Sequence, residues 1–385
     1  IMKDILVQLL QRGHRVLLYQ KQYLDKPNYP VAFEKYLKNG QLVVYNFPFV
    51  RAEKSDLKAR YLADIKYYGA VCRKVHSQKP DTIFLQSNNT AFVTLWYARN
   101  VLKVPVVYNE QDIFPENARL AGILSEKSAV YRIAKVLQNY AYRRASLLCT
   151  ISEDMKHTIC KEYSIPEKCV TVIYNWGHED LVASNESENY YFRQCNCEDD
   201  VFRVMYAGNL GKMQNVEFVL QAAARLKRDR TIKFYIVGNG ANEKALKEFA
   251  EKAQLSNVVF WDMQPPEKVA DLYAFADVNL IPLREKLIYA ALPSKTADCL
   301  LSGKNILACI DQDSDFSHLL DQYGICNVGV ESPEELCKAI RTLQSSPMKN
   351  RDRKLLEDYF DKTKNVAAYC DLIEKSVELR RSDKV

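Results

Sequence analysis

AALPSKTADCLLSGKNILACI, residues 290–310, reads as a loop, a short helix and a buried strand in immediate succession. Leu292-Pro293 ends an extended approach, Ser294 has the side chain of an N-cap, and Ala297, Leu300 and Leu301 recur at helical spacing. Gly303 stands where a C-cap is needed, and Asn305–Ile310 is a short apolar strand. Asp298 lies one turn past the cap, on the exposed side of a helix whose N-terminus can face a phosphate. Free amides for phosphates and a carboxylate for ribose hydroxyls are what a nucleoside-diphosphate site requires. The same spacing also opens an ordinary helix of an α/β domain, so its neighbours decide.

Those neighbours repeat one rhythm. Strands are expected at Val204–Ala207, Lys233–Val237, Val258–Trp261, Val278–Pro282, Asn305–Ile310 and Ile325–Val328, each followed by a helical segment. Upstream, strands are expected at His14–Gln20, Gln41–Phe47, Asp81–Gln86, Val104–Asn109, Ser146–Ile151 and Val170–Tyr174, alternating with helices such as Ser55–His76, Thr90–Val101 and Ser125–Arg144. Trp176–Asp200 is polar, acidic and without period. The pattern predicts two doubly wound, Rossmann-like α/β domains facing a cleft. Residues 1–178 form the first, 179–200 a linker and 201–346 the second, while 347–385 are helices that return toward the first domain. Met2–Arg12 is an amphipathic helix with no strand before it. A Rossmann-like half places its first strand centrally, so roughly 15–20 further residues are expected upstream.

Composition narrows the class. The 385 residues are 48% hydrophobic and 26% charged, with a net charge of +6, and at this length two domains are the default. A charge this small and this dispersed is compatible with phosphate or anionic lipid and gives no argument for nucleic acid. Eleven cysteines without a framework, and five isolated histidines, read as reduced thiols in a cytoplasm and as no metal centre. No run is long enough to be a membrane-spanning helix.

In the second half, Val204–Ala207 runs into Gly208-Asn209-Leu210-Gly211-Lys212, and the next strand into Gly238-Asn239-Gly240. Glycines at strand-to-helix turns let a backbone approach a phosphate, and Lys212 is a candidate counter-charge. Both turns and the Pro293–Asp298 segment belong to the carboxyl edge of one sheet, where open α/β sheets bind ligands. In the first half, Val104–Asn109 ends at Glu110-Gln111-Asp112. Asp112 is a candidate base for an acceptor hydroxyl and Glu116 a second, although an Asp followed by Phe114-Pro115 is also an ordinary cap and turn.

The order Gly208-Asn209-Leu210, Gly238-Asn239-Gly240, Leu292-Pro293-Ser294-Lys295 and Gly303-Lys304 resembles the retaining glycosyltransferases of family 4, which have the two-domain GT-B fold. Thr150-Ile151-Ser152, Tyr174-Asn175 and Asp112-Ile113-Phe114-Pro115-Glu116 are similar to the bacterial surface-polysaccharide branch of that family. The resemblance covers nearly the whole chain. It implies a nucleoside-diphosphate sugar as co-substrate in the second domain, transfer with retention, no metal or other cofactor, and a glycan or polyprenyl-diphosphate-linked acceptor at the first domain. The donor-side residues would be Gly208, Asn209, Gly211, Lys212, Gly238, Asn239, Met263, Pro293, Ser294, Lys295 and Asp298, with Val258–Trp261 and Asp262-Met263 flanking the base. Two glutamates are common in the family at this loop. The second aligns with Asp298 and the first with Ala290, near Glu285; the Arg and Lys that clamp the diphosphate align with Asn209 and Gln214. Lys212 or Lys295 is then left to supply the charge, without a guanidinium's bidentate geometry.

The segment Tyr131–Arg144 sets Arg132, Lys135, Arg143 and Arg144 beside three tyrosines. It reads either as peripheral contact with the inner face of a cell membrane or as a solvated face over a core of Ile133, Val136, Leu137 and Ala141. Two other functions share the fold: a nucleotide-sugar 2-epimerase, and a catalytically silent subunit that binds a partner or glycan.

Overall fold

The computed structural model describes residues 1–22, 29–48, 57–178, 183–194, 201–346 and 351–382. The first domain contains α1 (Met2–Gln11), β1 (Val16–Gln22), α2 (Glu34–Lys38), β2 (Leu42–Pro48), α3 (Leu57–Gln78), β3 (Ile83–Gln86) and α4 (Ala91–Tyr97). It continues with β4 (Val106–Glu110), α5 (Glu116–Leu120), α6 (Ala129–Arg144), β5 (Leu147–Thr150), α7 (Glu153–Tyr163) and β6 (Val170–Val172). Serines start two of its helices: Ser128 accepts the N–H of Tyr131, and Ser152 that of Met155.

One doubly wound sheet was expected here, and two are found. β3-β4-β5-β6 form a parallel sheet, whereas β1 and β2 pair in parallel with each other. Among the described residues no strand joins the two sheets, because none stands at the position between them that a doubly wound order requires.

After α8 (Tyr190–Gln194) the second domain follows, with β7 (Phe202–Ala207), α9 (Val216–Arg225), β8 (Ile232–Val237), α10 (Glu243–Lys252), β9 (Val258–Trp261), α11 (Val269–Phe275) and β10 (Val278–Pro282). Then come α12 (Lys295–Leu301), β11 (Asn305–Cys309), α13 (Asp315–Gln322), β12 (Cys326–Val328), α14 (Pro333–Ser345), α15 (Arg351–Tyr359) and α16 (Lys362–Ser382). All six strands pair in parallel in the order β12-β11-β10-β7-β8-β9. β10 is buried at every residue, as a strand covered by helices on both faces must be. Two Rossmann-like domains with parallel sheets result, and their order reverses between β10 and β7. That reversal opens a crevice at the strands' carboxyl ends.

Three expectations need correction. The connecting stretch contains helix α8, too short to show a period; Tyr191 anchors it by stacking on Trp261 at 5.3 Å. Residues 179–182 and 195–200 of that stretch lie outside the described residues. Ser294 is not a capping side chain: its own backbone is helical (φ −59°, ψ −27°), and its hydroxyl bonds no helix amide. Finally, Ile133 and Val136 are not core residues of α6; they are 60% and 68% exposed.

The last helix lies on the first domain. Tyr369 and Ile373 share a core with Ile5, Val107 and Ile173, and Arg12 of the α1 end bonds Asp371 and Glu374 at 2.6 and 2.8 Å. Among the described residues, no helix is long and apolar enough to cross a membrane.

Candidate active site

At the β7–β10 switch point the backbone is built around glycine. Gly208 (φ +149°) donates to the carbonyl of Val237, and Leu210 to that of Asn239 at 2.8 Å, so the turns after β7 and β8 are zipped together. A Cβ on Gly238 (φ +137°) would fall on the carbonyl oxygen of Gly208, and one on Gly240 would lie 2.5 Å from Leu210. Gly238 and Gly240 therefore let the second turn support the first. Asn209, Lys212 and Asn239 are exposed on these turns, and Gly211 sits between the side chains of Asn209 and Gln214.

Lys295 is the cation at the centre. Its ammonium lies 3.6 Å from the centre of the Tyr206 ring, 3.4 Å from the carbonyl oxygen of Ala207, and 3.7 Å from where a Gly208 Cβ would stand. No carboxylate pairs with it among the described residues, and burial lowers its pKa to about 7. Such an ammonium is short of counter-charge. Nearby, Thr296 Oγ1 and Gln214 Oε1 are buried without hydrogen-bond partners. Ser294 is exposed, and Pro293 accepts the N–H of Thr296.

Asp298 points to the chain crossing from the first domain. Its Oδ1 accepts the backbone N–H of His178 at 2.8 Å, and the His178 ring Nδ1 lies 3.1 Å away. Met263 is exposed past the end of β9, with β8 between that strand and the switch point.

The first domain presents its own carboxyl edge to this site. Asp112 forms an isolated antiparallel bridge with Ala291, and the N–H of Ile113 donates to Ala290 at 2.9 Å. The Asp112 carboxylate reaches water yet has protein on most sides, and that burial raises its pKa to about 6. Glu110 beneath it is buried. Gln138 and Tyr142 donate to one of its oxygens at 2.7 and 2.8 Å, the other has no partner, and desolvation raises its pKa to about 8. Glu116 is occupied differently: Tyr131, Arg119 and Lys135 surround its carboxylate within 3.2 Å. Those donors hold its pKa down against the opposing effect of burial, which makes it a poor proton acceptor.

The domains also meet where Asp154 of α7 accepts the N–H groups of Asp315 and Phe316 at the start of α13, at 2.8 and 2.9 Å. Arg284, just past β10, reaches the carbonyl of Ala121 at 3.4 Å. Arg284 escaped the sequence reading because its placement follows from strand order. Glu110 was visible as a carboxylate ending an apolar strand. Among the described residues, no group of three or more His, Cys, Asp or Glu side chains is placed to hold a metal ion.

Residues 2–176 match the family described as Glycosyl transferase 4-like domain, and residues 201–346 match Glycosyl transferases group 1. The chain is 27% identical over 282 residues to a Pseudomonas aeruginosa protein named as glycosyltransferase WbjE, covering 72% of this chain and 70% of that one. It is 29% identical over 369 residues to WcaI of Escherichia coli (strain K12), named for glycosyl transfer in colanic acid biosynthesis, covering 89% and 87%. Anabaena HepE, solved with UDP, superposes with a TM-score of 0.69 at 16% identity over 97% of this chain and 96% of that one. Sucrose-phosphate synthase of Thermosynechococcus elongatus superposes at 0.74 with 12% identity, over 97% and 92%. The chain is a glycosyltransferase, with a glycosyl transferase 4-like domain and a group 1 domain facing each other across the switch point.

Proposed function

We propose that the chain transfers a sugar, with retention, from a nucleoside-diphosphate sugar to a glycan or polyprenyl-diphosphate-linked acceptor in surface polysaccharide synthesis, at the cytoplasmic side of a membrane. The observation that carries this reading is the Lys295 ammonium, half-buried beside Gly208 at the switch point without a carboxylate partner among the described residues, with Asp112 on the facing domain. A diphosphate supplies the counter-charge that Lys295 lacks. Anabaena HepE was solved with UDP and with UDP-glucose, which supports a nucleotide sugar as donor. The name of WcaI supports a polysaccharide product. Neither the epimerase nor the silent-subunit reading is favoured by these relatives.

In the proposed reaction, the bond from the sugar's anomeric carbon to the diphosphate oxygen breaks. The acceptor oxygen bonds that carbon on the same face. The acceptor proton passes to Asp112 or to the departing diphosphate. Lys295 stabilises the charge that develops on the leaving group, so positioning and electrostatics supply the catalysis without a metal or other cofactor. Asp298 Oδ2 is the group offered to ribose hydroxyls.

Calorimetry against a panel of nucleotide sugars tests the reading. One donor is expected to bind, and Lys295→Met to weaken it at least tenfold. No binding across the panel would overturn the proposal. The anomeric configuration of the product, read by NMR, tests retention separately.

A further inference from the structure

The chain leaves the first domain through residues 174–178, and each residue of that stretch is held. Asn365 of α16 donates to the carbonyl of Tyr174 at 2.9 Å. The Trp176 side chain is buried, and its indole N–H donates to Asp4 of α1 at 2.9 Å. A Cβ on Gly177 would lie 2.5 Å from Leu301 and 2.8 Å from Asp298 Oδ1, so the backbone there rests directly on α12. His178 then donates its N–H to Asp298.

Asn175 reaches toward the acceptor side instead. Its Nδ2 donates to Gln111 Oε1 at 2.7 Å, and Gln111 is the chain neighbour of Asp112. Gln111 is fixed twice more: its Nε2 donates to Asn109 Oδ1 at 2.9 Å, and its backbone N–H to Ser87 Oγ at 3.1 Å. Asn109 Oδ1 also accepts the Tyr369 hydroxyl of α16 at 3.3 Å. The turn that carries Asp112 is therefore gripped from the end of β3, from α16 and from the crossover, in addition to its bridge with Ala291.

Stability alone does not call for an amide at Asn175. The residue is 6% exposed and its Oδ1 has no hydrogen-bond partner among the described residues, a cost that an apolar side chain would not carry. What the amide provides is a link. From Asn175 to His178 is at most about 11 Å of backbone, with the neighbour of Asp112 bonded at one end and Asp298 at the other.

We propose that Gln111 and Asn175 are positioning residues for sugar transfer, and that their bond keeps the Asp112 turn in register with Asp298 across the domain junction. The use in transfer rests on the roles proposed above for Asp112 and Asp298; the clamp itself does not. Misplacing reacting groups by about 1 Å can cost about 100-fold in rate, so such a clamp acts on kcat and leaves donor binding alone.

Two measurements on the full chain test it. Hydrogen exchange of residues 108–116, read by mass spectrometry without ligand, includes the Ile113 N–H that bonds Ala290. Asn175→Ala should speed it about tenfold and leave residues 204–212 unchanged. Hydrolysis of the nucleotide sugar that binds in the calorimetric panel, UDP-glucose first, is followed by release of the diphosphate. Gln111→Met should lower kcat about tenfold or more with KM for that donor within about twofold, whereas Lys295→Met should weaken donor binding. Because both single changes break one bond, Q111M/N175A should cost no more than the worse of the two. Unchanged exchange in Asn175→Ala overturns the clamp. An unchanged kcat in Gln111→Met, or losses that multiply in the double variant, overturns its use in positioning. Absence of any bound donor would strike the transfer reading, and exchange would still decide the clamp.

Discussion

Donor binding should draw a proton onto Lys295. Its ammonium is packed against Tyr206 and Ala207, and desolvation there lowers its pKa to about 7 from the ordinary lysine value of 10.5. At pH 8 about one free molecule in ten carries the charge. A diphosphate beside Gly208 is anionic throughout this range and would hold the lysine protonated. Binding at pH 8 should therefore take up about 0.9 proton, and the apparent Kd should rise about 30-fold between pH 6 and 8.5. Calorimetry in buffers of different ionisation enthalpy measures the uptake as the slope of observed heat against that enthalpy. Lys295→Arg should bind without this slope, since a guanidinium stays charged. The folded site holds fewer protons than the unfolded chain between about pH 7 and 10.5, so its contribution to stability rises with pH across that window. Lys295→Met should then raise the melting temperature more at pH 6 than at pH 9 while weakening donor binding. A zero slope in the wild type, or an unchanged pH dependence in Lys295→Met, would refute this account.

Asp112→Asn should lower kcat about 100-fold or more, the usual effect of losing a positioned base. The wild-type rate should rise through about pH 6 as Asp112 ionises, a limb that the Asn variant lacks. Gly238→Ala should destabilise the chain by about 2–4 kcal/mol in urea titrations and abolish donor binding, because its Cβ would meet the Gly208 carbonyl. Asp154→Asn leaves one of two amides at the α13 start without a full acceptor, at about 1–3 kcal/mol, and small-angle scattering should show a more open chain. Burial raises Asp154 to about 6 from 3.8, so its contribution to stability falls as pH climbs through that interval; the Asn variant should lack that slope.

The second sheet was legible because its strands are short apolar runs with glycine turns, and parallel strands covered on both faces leave that trace. Val258–Trp261 and Val278–Pro282 were expected at the bounds the structure has. Helix α6 misled for a physical reason. Its inner face is lined by Tyr131, Lys135, Gln138 and Tyr142, which bond the carboxylates of Glu110 and Glu116. Its valines and isoleucine were thereby turned outward. Periodicity identifies which residues share a face; only the neighbours decide which face is covered. The glycines after β8, expected as a phosphate approach, have a structural use that no motif shows: Gly238 and Gly240 admit the turn after β7.

The run at residues 290–310 is an interdomain joint as well as the proposed donor element. Ala290 is wholly buried, and its carbonyl accepts from Ile113 of the facing domain, so a glutamate there would need to desolvate its charge or push that contact apart. Asp298, one turn into α12, has the complementary property. Its Oδ1 takes the His178 N–H at 2.8 Å, while Oδ2 has only the looser ring contact at 3.2 Å. A carboxylate offers about four acceptor sites, so a ribose hydroxyl can be accepted at Oδ2 without releasing the backbone at Oδ1. On the proposed reading, one short side chain would fix the crossover segment and face the donor together, and donor binding would be felt at the junction between the domains through a single carboxylate.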